Sequence, residues 1–329
     1  HYPLRRQRQM CIRDRATACT SDNAVTETQD PQGGDFAVAE RRNCPSEEIR
    51  DEMLANDPAA RARAADIENS TARFIQDKTL GRVLADGTVE IPVVVNVLYR
   101  TTAENISDAQ IQSQIDVLNA DYSGTNADAT KIPTEFKSVS AGNTGIKFRL
   151  VKTVRKATKT RSWRTNDAMK KSSQGGIDAT DPSQYLNMWV VGDMGSILGY
   201  ATFPESAGLW NDGVVMAKNY FGKTSAAPYN LGRTTTHEVG HYLNLRHIWG
   251  DATCATDYVD DTPTQQDKNF GVPSYPQYDV CGGVSRSVMF MNYMDYVDDA
   301  AMYMFSAGQK ARMQAIVAAS GVRAGLRNL

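Results

Sequence analysis

The segment Thr236-His237-Glu238-Val239-Gly240-His241-Tyr242-Leu243-Asn244-Leu245-Arg246-His247 constrains the fold more than any other part of the chain. His237 and His241 are four residues apart, so on a helix both imidazoles leave one face and reach a common point. Glu238 stands beside that point but off the ligand line, where a general base for an attacking water belongs. His247 follows six residues after His241, and a continuous helix would carry it to the wrong side. The chain must therefore turn near Asn244. Glycine is usual at such a bend because the bend needs positive φ, and asparagine is the commonest substitute. Four histidines are present, and all but His1 lie in this one stretch. Imidazole nitrogen suits zinc, and three protein ligands leave a fourth position open, as in a catalytic rather than a structural site.

The remaining sequence has to frame that helix and bend. VEIPVVVNVLY, residues 89–99, is a β-branched run of the kind that forms a buried strand. Ser107-Asp108-Ala109-Gln110 has capping-box form and precedes Ile111, Ile115, Leu118 and Tyr122, one face of an amphipathic helix. Residues 146–151 and 185–191 read as strands, with two more at 197–203 and 213–217. The pattern predicts an α/β (α+β) fold: a twisted mixed sheet with a backing helix and the histidine helix in an upper lobe. Beyond residue 250 the chain turns irregular and rich in Asp, Gly and Pro. It closes on a second capping box, Ser306-Ala307-Gly308-Gln309, opening a C-terminal helix through Met313, Ile316 and Val317.

The N-terminal part is different in kind. Residues 1–15 are basic without an apolar stretch, and 9–15, QMCIRDR, resembles the translation of a transposon end used in sequencing libraries. They are expected to be non-native sequence, His1 and Cys11 included. Residues 16–40 read as a polar linker, in which Ala16-Thr17-Ala18-Cys19 resembles the end of a bacterial lipoprotein signal and makes Cys19 a candidate lipid anchor. Residues 45–80 are mostly charged residues and alanine, with a helix opening at Pro45-Ser46-Glu47-Glu48 and interrupted at Asp57-Pro58. Too few large apolar residues occur there to build a core, so the segment must lie on something else or remain mobile. Overall, 36 Lys+Arg against 38 Asp+Glu give a net charge of -2, which offers no footprint for nucleic acid. No apolar run approaches the roughly 20 residues of a membrane-spanning helix.

HExxHxxNxxH with a methionine downstream resembles the metzincin metalloproteases. Arg246-His247-Ile248-Trp249-Gly250-Asp251, Asp260-Asp261-Thr262-Pro263 and Met291-Asn292-Tyr293-Met294-Asp295-Tyr296 point further, to the pappalysin family and especially its bacterial members. The likeness covers residues 85–329, expected to be the catalytic domain. It implies that Met294 forms an apolar floor under the metal and that Tyr296 stabilises the tetrahedral intermediate. It also implies that Asp299, with Asp298 as rival, lines a pocket favouring Arg or Lys after the scissile bond. Asp251, Asp257, Asp260 and Thr262 form an oxygen-rich stretch suited to calcium. Cys254 and Cys281 bracket it, and a disulfide is the natural reading in a secreted protein. Arg41-Arg42-Asn43-Cys44 resembles the family's pro-segment motif, in which a thiolate takes zinc's open position, although Pro45 replaces the usual glycine. Residues 41–84 would then be a pro-segment, with Arg61, Arg63, Arg73 and Arg82 as candidate cleavage points.

The expected function is that of a secreted or cell-surface bacterial zinc endopeptidase made as a zymogen. Zinc would be held by His237, His241 and His247, with Glu238 as base, and the strand near 198–203 would offer its edge to an extended peptide. A zinc hydrolase of a non-protein amide and a non-catalytic cell-surface binding module are the rivals; Glu238 argues against the latter.

Overall fold

The structure is a computed structural model describing residues 39–77 and 88–327. The expectations for residues 1–38, lipidation at Cys19 among them, and for Arg82 fall outside that range.

The β-branched run forms β1, Val89–Tyr99, an inner strand of a five-stranded sheet. Strands β2 (Ile146–Ala157), β3 (Leu186–Val191), β4 (Gly199–Ala201) and β5 (Val214–Ala217) complete it in the order β2-β1-β3-β5-β4. All pairs are parallel except β4 on β5, so the sheet is mixed and β4 is an antiparallel edge. Parallel strands are covered on both faces, which is why β1 and β3 read as largely apolar runs. β2 is longer than the 146–151 predicted; its second half alternates charge and keeps pairing with β1 beyond a register shift at Val93/Val94. β4 is shorter than 197–203, because Pro204 opens a helical turn, Pro204–Ser206.

Helix α3, Asp108–Ser123, backs the sheet with Ile111, Ile115, Leu118 and Tyr122 buried, and Ser107 caps it by accepting the Gln110 N–H at 3.1 Å. The histidine helix, α4 (Arg233–Tyr242), lies between α3 and the β4–β5 edge. The lower lobe holds one hairpin, β6 (Tyr278–Cys281) with β7 (Val284–Ser287), and α5, Ala307–Val317, whose capping box with Ser306 and Gln309 is complete.

The early segment folds as α1, Ser46–Asn56, and α2, Pro58–Gln76, joined by Asp57, which accepts the Ala59 N–H at 2.8 Å. Its lack of large apolar residues is met by lying on the rest of the fold. Ala60, Ala64, Ile67, Thr71 and Phe74 make one buried stripe, and Phe74 packs on Ala315 and Ala318.

Candidate active site

Helix α4 is anchored at its start. Arg233 is buried, paired with Asp121 at 3.1 Å and Asp128 at 2.9 Å, and donates to the Asp299 carbonyl at 3.1 Å. His237 Nδ1 lies 2.7 Å from the Tyr293 carbonyl and His241 Nδ1 2.8 Å from the Leu245 carbonyl. A carbonyl only accepts, so each Nδ1 carries the proton and each Nε2 presents a lone pair. Asp251 Oδ1, 2.6 Å from His247 Nδ1, orients the third ring in the same way. The Nε2 atoms of His237 and His247 stand 3.2 and 3.1 Å from that of His241. Lone pairs facing one another at that distance repel, and the arrangement is favourable only around a cation. Burial first, then the neighbouring imidazoles, hold His237 and His241 well below the ordinary histidine pKa, which keeps them neutral as ligands must be. The donor set therefore fits zinc.

The bend falls where the spacing requires it. Asn244 has φ +75°, and the Leu245 N–H returns to the Gly240 carbonyl at 2.9 Å. Gly240 is needed for a different reason: a Cβ there would stand 2.5 Å from Met294 Sδ. The methionine thus closes directly under the ligand helix, fully buried. Trp249 stacks on His247 with ring centroids 4.4 Å apart and planes 7° from parallel. Tyr296 contacts the rings of His237 and His247 at 5.8 and 4.9 Å.

Cys44 reaches this centre from the N-terminal segment. Its Sγ and one ligand atom from each of the three histidines lie within 4.8 Å of one another. Glu238 is buried; its Oε2 accepts from Cys44 Sγ at 3.2 Å and from Ser46 Oγ at 3.0 Å, while Oε1 has no hydrogen-bond partner among the described residues. Burial pushes the Glu238 carboxyl up to about 7, against those two hydrogen bonds. Burial, with the Glu238 charge, also pushes the Cys44 thiol well up. The Tyr296 hydroxyl donates to the Cys44 carbonyl at 2.8 Å. Pro45 opens α1, its carbonyl accepting the Ile49 N–H at 2.9 Å, so the proline is compatible with this course. The Leu198 N–H at the sheet edge donates to the Asn43 carbonyl at 3.3 Å.

Two residues before Cys44, Arg42 inserts beside the centre. Its Nη2 lies 2.7 Å from Asp299 Oδ1, its Nη1 donates to Thr234 Oγ1 at 2.9 Å, and its guanidinium covers the Tyr229 ring at 5.0 Å. Asp299 Oδ2 accepts the N–H groups of Leu231 and Arg233. Asp299 is fully buried and faces the cleft; Asp298 is half-buried and makes no hydrogen bond to Arg42.

Of the four side chains expected to bind calcium, only Asp257 and Thr262 meet. Asp251 turns to His247, Asp257 accepts from Thr262 Oγ1 at 2.8 Å, and Asp260 is exposed. Cys254 and Cys281 form a disulfide, with Cα atoms 5.6 Å apart. Arg61, Arg63 and Arg73 lie within α2, a conformation no extended-peptide cleft accepts. Ser46, Asp251 as orienter of His247, and the partner of Arg42 were not foreseen; the adjacency of Arg42 to the cysteine motif was the one available signal.

A ligand helix, a sharp bend to a third histidine and a methionine floor define a metzincin-like zincin. The family model described as pregnancy-associated plasma protein-A matches residues 170–318. An extracellular metalloprotease of Uncinocarpus reesii is 33% identical over 256 residues, covering 74% of this chain and 82% of that protein. Among solved structures, a Tannerella forsythia promirolysin mutant is 40% identical with a TM-score of 0.79, covering 87% of this chain and 97% of that one. Mature Tannerella forsythia mirolysin in complex with a cleaved peptide is 43% identical with a TM-score of 0.71, covering 74% and 96%. The chain belongs to the pappalysin family and is a metalloendopeptidase.

Proposed function

We propose that this chain is an extracellular zinc endopeptidase in its latent form, selective for Arg or Lys after the scissile bond and silenced by residues 41–84. The observation that carries the reading is the course of residues 42–46. Cys44 stands at the three imidazoles, Ser46 occupies Glu238, and Arg42 fills the pocket of Asp299. The pro form of mirolysin covers 87% of this chain where the mature form covers 74%, and the additional share matches the length of 41–84. Secretion is supported by the extracellular relatives; among the described residues no helix is long and apolar enough to cross a membrane.

His237, His241 and His247 would hold the metal, with Cys44 Sγ as the fourth donor in the latent form. Zinc, when bound, supplies Lewis acidity that polarises the scissile carbonyl and eases deprotonation of water. Glu238 takes the proton of the attacking water at Oε2, the atom now held by Cys44 and Ser46, and delivers it to the leaving amine. Tyr296 already donates to a peptide carbonyl, that of Cys44; with substrate bound, the same hydroxyl meets the developing oxyanion. Asp299 orients an incoming guanidinium or ammonium as it now orients Arg42, and the edge at Leu198 supplies main-chain pairing.

The test is a fluorogenic peptide series varied only after the scissile bond, given to protein matured by limited proteolysis, with and without a zinc chelator. Chelator-sensitive cleavage before Arg and Lys, lost in Asp299→Asn, is the expected result. Cleavage indifferent to that residue would sink the role of Asp299, and cleavage untouched by the chelator would sink the role of zinc. In the uncut chain, Cys44→Ala should release activity.

A further inference from the structure

We infer that Glu205 forms a second acidic subsite in the cleft, selecting a basic residue on the N-terminal side of the scissile bond. The inference rests on the latent-endopeptidase reading above. Glu205 sits in the turn that follows β4. Its Oε1 receives Arg50 Nε at 2.9 Å and Nη2 at 2.5 Å, a pair whose side chains are 5% and 1% exposed. Its Oε2, equally buried, has no hydrogen-bond partner among the described residues. Arg63 Nε donates to the Glu205 carbonyl at 2.9 Å. Both arginines bonded to Glu205 belong to the pro-segment. In the rest of the fold the buried Arg323 is committed to Asp212 at 2.9 Å and to the Tyr242 carbonyl at 3.0 Å. Departure of α1 and α2 therefore strips the carboxylate of its partners and opens it to the cleft.

Its position follows from the helix beneath. Asp299 binds the N–H groups at the N-terminal end of α4. Arg50 lies over Phe203 at 5.1 Å, and Phe203 packs 5.1 Å from His241, in the last turn of α4. The two carboxylates thus flank the imidazoles, filled by Arg42 and Arg50 on either side of Cys44. If Asp299 reads the residue after the scissile bond, Glu205 reads one before it. From Ser46, on Glu238, to Arg50 is one helical turn, a rise of roughly 6 Å that an extended peptide covers in about two residues. The second or third residue before the scissile bond is therefore the one addressed. A cavity of about 270 Å³ between α1 and Tyr200, Thr202 and Phe203 shows that α1 does not fill this side of the cleft.

A carboxylate that merely anchored the pro-segment would leave peptide selection untouched, and that difference is the test. The full chain is matured by limited proteolysis and offered peptides with Arg after the scissile bond and Arg, Lys or norleucine at the second or third residue before it. Basic peptides should exceed norleucine by about tenfold in kcat/KM, mainly through KM. That ratio should collapse toward one in Glu205→Gln, survive in part in Glu205→Asp, and turn toward acidic residues in Glu205→Lys. Equal rates for basic and norleucine peptides in the wild type, or a ratio unchanged in Glu205→Gln, would overturn the subsite alone. No cleavage of any peptide would instead overturn the endopeptidase reading beneath it. Should Glu205→Gln not fold, the wild-type ratio and its decline with added salt decide the matter.

Discussion

The body of the fold and residues 41–77, proposed above as its pro-segment, are held by opposite means. The former packs β1 and β3 around Trp189, Ile91, Leu98 and the apolar face of α3, with large side chains wholly out of water. That segment contributes alanines, Ile49, Ile67 and Phe74, the contacts of Cys44 and Ser46 with Glu238, and a set of charged pairs: Arg42 with Asp299, Arg50 with Glu205, Glu47 with Arg246 and Glu68 with Arg312. An apolar core cannot be taken apart piecemeal, whereas a surface of ion pairs over small residues can leave intact what it covered. The contrast explains how one chain can be both a stable fold and a removable plug.

The contrast can be broken at several points. The largest expected effect is chemical: Glu238→Gln in the matured enzyme should lose turnover by about a thousandfold while its Tm stays put. A fall in Tm of the same variant would make Glu238 a structural residue. Next, Trp189→Ala should cost about 3–5 kcal/mol, read as a lower Tm with or without the pro-segment. Phe74→Ala, by contrast, should leave the matured domain's Tm unchanged and loosen only the plug. Removing one partner of a buried pair, as in Arg42→Ala, should weaken binding of the separated pro-segment by about 3 kcal/mol, on the order of a hundredfold in Kd. The smallest effect belongs to Glu68→Gln, whose carboxylate bridges Arg312 at 2.8 and 3.0 Å but is partly exposed. About 1 kcal/mol or less is expected there, fading with salt. If Glu68→Gln matched Arg42→Ala, the plug would be held by its outer helix rather than by the cleft.

How far the sequence announces all this depends on chain distance. The helix, the bend at Asn244, the caps at Ser107 and Ser306 and the sheet strands are local patterns, and each lies where its residues place it, apart from the extent of β2 and β4. Gly240 is local in sequence, yet its reason, the approach of Met294, is not. Arg42, Arg50 and Glu205 look like ordinary charged residues because their partners lie 155 to 257 residues away. The aspartates after His247 invited a calcium reading because they crowd together in sequence. The backbone undoes that crowding: Asp251 takes φ +61° and its carboxylate goes to the histidine four residues back.

The Arg42–Asp299 pair also bears on how such an enzyme can change over generations. On the reading proposed above, one carboxylate both reads the substrate and grips the pro-segment. A lineage that altered Asp299 to accept a different side chain would loosen its own safety catch in the same step, and a premature protease harms the cell that makes it. Selectivity at this pocket can therefore drift only if position 42 drifts with it, and anyone re-engineering the pocket inherits the same obligation.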